Sequence, residues 1–228
     1  MIVTLKSWSE IGAANKELAR RGLPRHQSPE KNWDLSLLRR SLEGVSADAL
    51  IVDLGCGDCY ALKYLAATGF RNLLGIDLAI SPKSRVGAWK RRLTGKPSFA
   101  LRRADILSTG LSDEVADVAI SVSVVEHGVD LPRFFKEVGR ILRNNGRLYM
   151  TTDYWPTPIH IPDEPIAFGR SWQPFNRESL LALVDVAQSF GFRLCGPEFD
   201  LETEERCVVW AGREYTFVAM QFVKDSRS

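Results

Sequence analysis

The sequence predicts an α/β fold: a doubly wound, mostly parallel sheet of seven strands, closed by an antiparallel C-terminal hairpin and preceded by an N-terminal helical cap. Three observations predict it. Apolar strand-like runs alternate with helical periods from Ala49 to Phe190. A carboxylate or hydroxyl stands at the end of each core strand, at Asp53, Asp77, Asp105, Ser123 and Asp153. The last strands follow one another without helices, and strands joined so closely pair antiparallel.

The elements follow in order. Trp8 to Arg21 places Ile11, Ala14 and Leu18 at helical spacing, ended by Gly22 and Pro24. Trp33, Leu35, Leu37, Leu38 and Leu42 mark a second helix, stopped near Gly44. Both precede the first core strand, so they form a cap. Trp33 reads as a core anchor, while His26 and Trp33 are placed where either can face a ligand. Ala49 to Leu54 is a buried strand, Gly55 and Gly57 make a tight turn, and Ala61 to Leu65 begins a helix. Asn72 to Asp77, Phe99 to Ile106, Val115 to Val122 and Arg147 to Thr152 are further strands. Between the last two, Leu131 to Leu142 has a helical period, ended by Asn144-Asn145-Gly146, residues that accept a left-handed cap. Pro156 to Pro174 is a long loop over the sheet mouth, where Trp155, Phe168, Trp172 and Phe175 argue for order. A helix from Asn176 to Phe190 and the strands at Phe192, Cys207 and Tyr215 to Val223 complete the chain.

Composition bounds the function. The 228 residues fit one domain with a sizeable core. A net charge of +2 gives no global argument for nucleic acid. The start, Met1 to Lys6, is not a basic region followed by an apolar one, and no long apolar run follows. The expectation is a soluble, cytoplasmic protein with no membrane partner. Cys56 and Cys59 have the spacing of half a zinc site, but Cys195 and Cys207 lie far apart and no histidine is near. No metal is expected.

The chemistry centres on Asp53-Leu54-Gly55-Cys56-Gly57. Glycines there let the backbone turn and let a ligand lie against bare main chain. The dinucleotide fingerprint asks for a third small residue where Tyr60 stands, and the Gly-Lys-Ser/Thr of a phosphate loop is absent. Asp53 suits a cationic or hydrogen-bond-donating ligand better than a diphosphate. Asp77 lies twenty residues after Gly57, at the end of the neighbouring strand, where a carboxylate can accept from both hydroxyls of a ribose. Asp105 can accept from an exocyclic amine. Leu78 to Ala104 carries eight lysines and arginines and no acid. That is a solvated face, or a patch for a phosphate-bearing acceptor or RNA.

With these residues in place, the chain resembles the class I, Rossmann-like S-adenosylmethionine-dependent methyltransferases, nearest the type 11 small-molecule group. The resemblance runs from Ala49 to Val223 and is strongest from Asp53 to Asp153. It implies that Asp53, Gly55, Cys56 and Gly57 wrap the methionine part of S-adenosyl-L-methionine, with Cys59 where the family often has a third glycine. It implies ribose contacts at Asp77 and Leu78, adenine contacts at Asp105 and Ile106, and a fourth-strand motif at Ser121 to His127, with Ser123 touching the cofactor. The implied organisation is one methyltransferase domain over 1–228: a helical cap to residue 45, a cofactor-binding core over 46–155, and an acceptor loop, helix and C-terminal strands over 156–228.

The implied reaction is an in-line methyl transfer to a small-molecule acceptor, to an oxygen of a metabolite or sugar. A hydroxyl acceptor must lose a proton, so His127 is the first candidate base, with Asp153 and His160 next. His127 can equally be a helix-start residue that holds the fourth strand or the cofactor. Two alternatives stand beside this: an RNA or protein methyltransferase using the basic stretch, and a catalytically silent partner subunit of the same fold. The oligomeric state is not legible.

Overall fold

The computed structural model describes residues 1–95, 98–161, 169, 171–196 and 199–226. Phe168, the middle of the loop expected over Pro156 to Pro174, and Lys96 of the basic stretch lie outside them.

The chain opens with β1 (Ile2–Thr4), α1 (Trp8–Arg20) and α2 (Lys31–Ser41). The core follows as β2 (Leu50–Leu54), α3 (Tyr60–Ala67), β3 (Asn72–Asp77), α4 (Pro82–Leu93), β4 (Ala100–Arg103), β5 (Ala116–Val122), α5 (Leu131–Ile141) and β6 (Leu142–Tyr154). It ends with α6 (Arg177–Ser189), β7 (Phe192–Leu194), β8 (Phe199–Asp200), β9 (Val208–Trp210) and β10 (Arg213–Lys224).

The strands form one sheet in the order β4-β3-β2-β5-β6-β10-β1-β8. β4 through β6 are mutually parallel, and β10 lies antiparallel to β6 with Phe217 opposite Asp153. The expected α/β, doubly wound sheet is therefore present. The free edge of β10 takes β1 and β7, both antiparallel, and β9 pairs with its start. Two short strands, β1 and β8, were not expected, and β9 is the strand expected at Cys207. The N-terminal segment is thus not only helical: Ile2 to Thr4 is held at the sheet through pairing with Met220, Ala219 and Val218.

Strand periodicity divides the core between the two sheet faces. Ile51, Ile120, Tyr149 and Phe217 face one layer, with Leu18, Trp33, Leu38 and Leu62 from the first three helices. Their neighbours Val52, Ala119, Leu148 and Val218 face the other, with Phe134, Val138 and Leu183 from α5 and α6. Each such apolar side chain contributes roughly 1.5–3 kcal/mol by leaving water. Trp33 is a core residue, as expected.

Caps fix where the later helices begin. Asp130 Oδ1 accepts from the Arg133 amide, with Pro132 in the first turn. Asn176 and Ser179 form a reciprocal box at the start of α6. α5 ends at Ile141, so Asn144 to Gly146 lie beyond it, in the irregular start of β6. Asn145 there takes a φ of 63°, and the register jumps from Ala116 opposite Leu142 to Val118 opposite Arg147. β4 is shorter than the apolar run it belongs to. The chain leaves the edge after Arg103, and Asp105 closes a turn by accepting from the Leu107 amide at 2.9 Å.

Candidate cofactor and acceptor site

The strand order reverses between β2 and β5, and there a cavity of about 770 Å³ opens beyond the carboxyl ends of the strands. The turn after β2 forms its floor. Gly55 has a φ of +82°, and a Cβ on it would lie 2.6 Å from a methyl of Val124, so only glycine fits. Gly57 is also left-handed at +45°, and a Cβ there would project into open space. The amides of Gly55 and Cys56 donate to the Ile76 carbonyl, which ties the turn to β3. Cys59, standing where a third glycine is common, has a φ of 62° and caps α3. The left-handed geometry persists without the glycine.

Asp77 is oriented by the backbone. Its two oxygens accept from the amides of Gly57 and Ala79, each at 2.9 Å. A carboxylate has about four lone-pair directions, so each oxygen retains one for a ligand hydroxyl. Asp53 is buried, and burial followed by the nearby Cys59 and Asp77 charges pushes its carboxyl well above the usual range. A cation arriving beside it would reverse that preference. Ser123, directly after β5, has a φ of 53°, a strained conformation of the kind that clusters at functional sites.

Ten of the twelve expected site residues line this cavity: Asp53, Gly55, Cys56 and Gly57 from the first turn; Asp77 and Leu78 after β3; Asp105 and Ile106 after β4; Ser123 and His127 after β5. Asp153 and His160 do not. Asp153 is buried one strand away, where its Oδ2 accepts from Trp172 Nε1 at 2.7 Å. Glu126 lies in the same cluster, held by Thr152 at 3.0 Å. Burial pushes both carboxyls up, and the Asp153 charge adds to the effect at Glu126. His160 is exposed, and its carbonyl accepts from Arg213. No group of metal-ligating side chains occurs among the described residues.

The cap supplies what the sequence reading missed. Lys31, at the start of α2, donates to Ser123 Oγ and lies 3.9 Å above the Phe217 ring. Asp34, one turn on, is fully buried and lines the cavity. Its backbone carbonyl accepts from Tyr149 Oη at 2.9 Å. Neither of its side-chain oxygens has a hydrogen-bond partner, and the Lys31 ammonium is 3.9 Å away. Burial, opposed by Lys31 and reinforced by Asp153, raises the carboxyl to about 7. The local signal was available: an acid between Trp33 and Leu35, inside an apolar stripe, is a buried acid. His26 also reaches the cavity, packed 4.2 Å from the Tyr60 ring, and burial lowers its pKa.

This geometry agrees with the comparisons. A family model described as "Methyltransferase domain", type 11, matches residues 52–150. Over residues 52–150 the chain is thus similar to the methyltransferase domain of the type 11 group. A probable S-adenosylmethionine-dependent methyltransferase of Mycobacterium tuberculosis is 26% identical over 146 residues, which cover 64% of this chain and 50% of that protein. The chain thus spans about half the length of the mycobacterial relatives it matches. Tocopherol O-methyltransferase of Arabidopsis thaliana is 32% identical over 104 residues, 45% of this chain and 29% of that one. The crystal structure of an S-adenosylmethionine-dependent methyltransferase from Mesorhizobium loti superposes with a TM-score of 0.57 at 22% identity, covering 82% of this chain and 96% of that one. The likeness in structure is one of fold. The methyltransferase domain takes S-adenosylmethionine as its cofactor, and the cavity suits it: acidic strand ends, an open glycine turn, and a volume in the range of small-molecule sites.

Proposed function

We propose that this protein methylates an oxygen of a small metabolite or sugar, with S-adenosylmethionine held across the ends of β2, β3 and β4. The observation that carries the reading is the meeting of Asp53, Asp77 and Asp105 around one cavity with the Gly55–Gly57 turn. In this reading Asp77 accepts from the ribose hydroxyls, Asp105 and Ile106 meet the adenine, and Asp53 lies toward the cationic methionine end. The bound cofactor supplies a methyl group already activated on a sulfonium.

What remains for the protein is alignment, exclusion of water and the acceptor's proton. α2 covers the cavity through Lys31 and Ser123 and leaves a bounded space beside β5. His127 is the candidate base of the original three that faces that space. Imidazole is the side chain suited to exchanging protons near neutral pH. A small acceptor is favoured by this covered cavity, and the printed activity of the tocopherol relative supports oxygen as the target atom.

Calorimetry with S-adenosylhomocysteine tests the cofactor reading. Saturable binding is expected, and Asp77→Ala should weaken it on the order of 100-fold, since two charge-assisted hydrogen bonds are lost. No heat from a folded wild-type sample, or an unchanged affinity in the variant, would refute it.

A further inference from the structure

α4 presents its large apolar side chains to solvent. The side that packs on the protein carries small residues: Ser84 is buried, and Ala88 is half-buried against the core. Val86, Trp89 and Leu93 are instead 48%, 61% and 64% exposed. At about 100° per residue, these three fall within a sector about 60° wide. Lys83 and Lys90 border that sector on one side and Arg85 on the other, and all three are exposed. The adjacent edge strand β4 extends the basic surface with exposed Arg103, which shares the sheet face of Leu101 and Ala88 and donates to the Leu78 carbonyl. No acid interrupts the sequence from Leu78 to Ala104.

A solvated helix face accounts for the charges and leaves the stripe unexplained. Each exposed apolar side chain forgoes the stabilisation of burial, at about 25 cal/mol per Å². A stripe of tryptophan, leucine and valine flanked by cations is the composition of a helix that lies in a membrane interface. RNA would engage the cations and could stack on Trp89, but it gives Val86 and Leu93 no counterpart.

We propose that α4, together with Arg103 of β4, docks this protein on the surface of an anionic lipid bilayer. The apolar stripe enters the headgroup region, and the lysines and arginines meet the acidic headgroups. Docking of this kind needs no spanning segment, and no described helix is long and apolar enough to cross a membrane. It revises the expectation, drawn from the composition of Met1 to Lys6 and the lack of a long apolar run, that no membrane is involved.

Sedimentation of the full chain with vesicles tests the proposal. Wild type should bind vesicles of phosphatidylcholine mixed with phosphatidylglycerol, bind phosphatidylcholine alone much more weakly, and release in high salt. Leu93→Asp, at an exposed position, should lower binding about tenfold or more with an unchanged melting temperature. If that variant fails to fold, Trp89→Ser carries the same expectation. Lys83→Glu and Lys90→Glu should each cost about fivefold or more, the factor that corresponds to about 1 kcal/mol per cation. Absence of wild-type binding to the anionic vesicles would overturn the proposal, as would full binding by folded Leu93→Asp. Salt-sensitive binding of polyuridylate without vesicle binding would assign the surface to nucleic acid instead.

Discussion

Asp34→Asn isolates the cost of keeping a carboxyl buried under the cap. In the folded protein this group titrates at about 7, against an ordinary value of 3.8. The folded chain therefore holds the proton more tightly than the unfolded chain between those limits. The sign follows. Stability is unaffected by this group below 3.8, falls as pH rises from 3.8 to about 7, and levels off above. At 1.36 kcal/mol per pH unit the full span costs about 4 kcal/mol. Roughly a third of this is already incurred at pH 5 and nearly all of it at pH 8. Asparagine does not ionise and lacks the slope. The stability of Asp34→Asn relative to wild type should therefore rise by about 2–3 kcal/mol between pH 5 and pH 8. Any constant cost of placing an amide there cancels in that difference. Urea denaturation of both proteins at both pH values measures it, provided the slopes with urea agree. If the two proteins show the same change with pH, Asp34 is not the buried, proton-holding group described here.

Two further outcomes test the frame around the site. Gly55→Ala forces a methyl to within 2.6 Å of Val124 in a left-handed conformation, so it should destabilise the fold by about 2–4 kcal/mol; an unchanged melting temperature would contradict that packing. Glu137 is held by Arg140 at 2.7 Å and by the Thr109 hydroxyl and amide, and these partners pull its carboxyl down to about 2. That stability is fully present above 4.5 and lost as pH falls toward 2, so Glu137→Gln should cost about 2–3 kcal/mol at pH 7 and almost nothing near pH 2. An equal gap at both ends of an acid titration would rule out the ion pair as its source.

Much of the fold and half of the site's logic lay in local sequence. The alternation of Ile51 and Val52, or of Leu148 and Tyr149, reports directly which sheet face each side chain meets, because a strand repeats every two residues. The glycines after Asp53 and the carboxylates at Asp77 and Asp105 are likewise local, since strand ends and turns are set by neighbouring residues. β1 and β8 were not legible. Segments of two or three residues carry no periodicity, and Ile2 to Thr4 becomes a strand only because the edge of β10 offers it hydrogen bonds.

The sequence by itself determined the sheet and the acidic strand ends that gather around one cavity. Tertiary structure alone decided what covers and flanks that cavity. Lys31 and Ser123 are 92 residues apart and meet only when α2 folds across the end of β5. Asp153 stands at a strand end, yet its pairing region faces Trp172 rather than the cavity. The physical reason is the range of the forces involved. Backbone periodicity is fixed by adjacent residues, whereas burial, and with it the protonation of Asp34, depends on every element packed around the group.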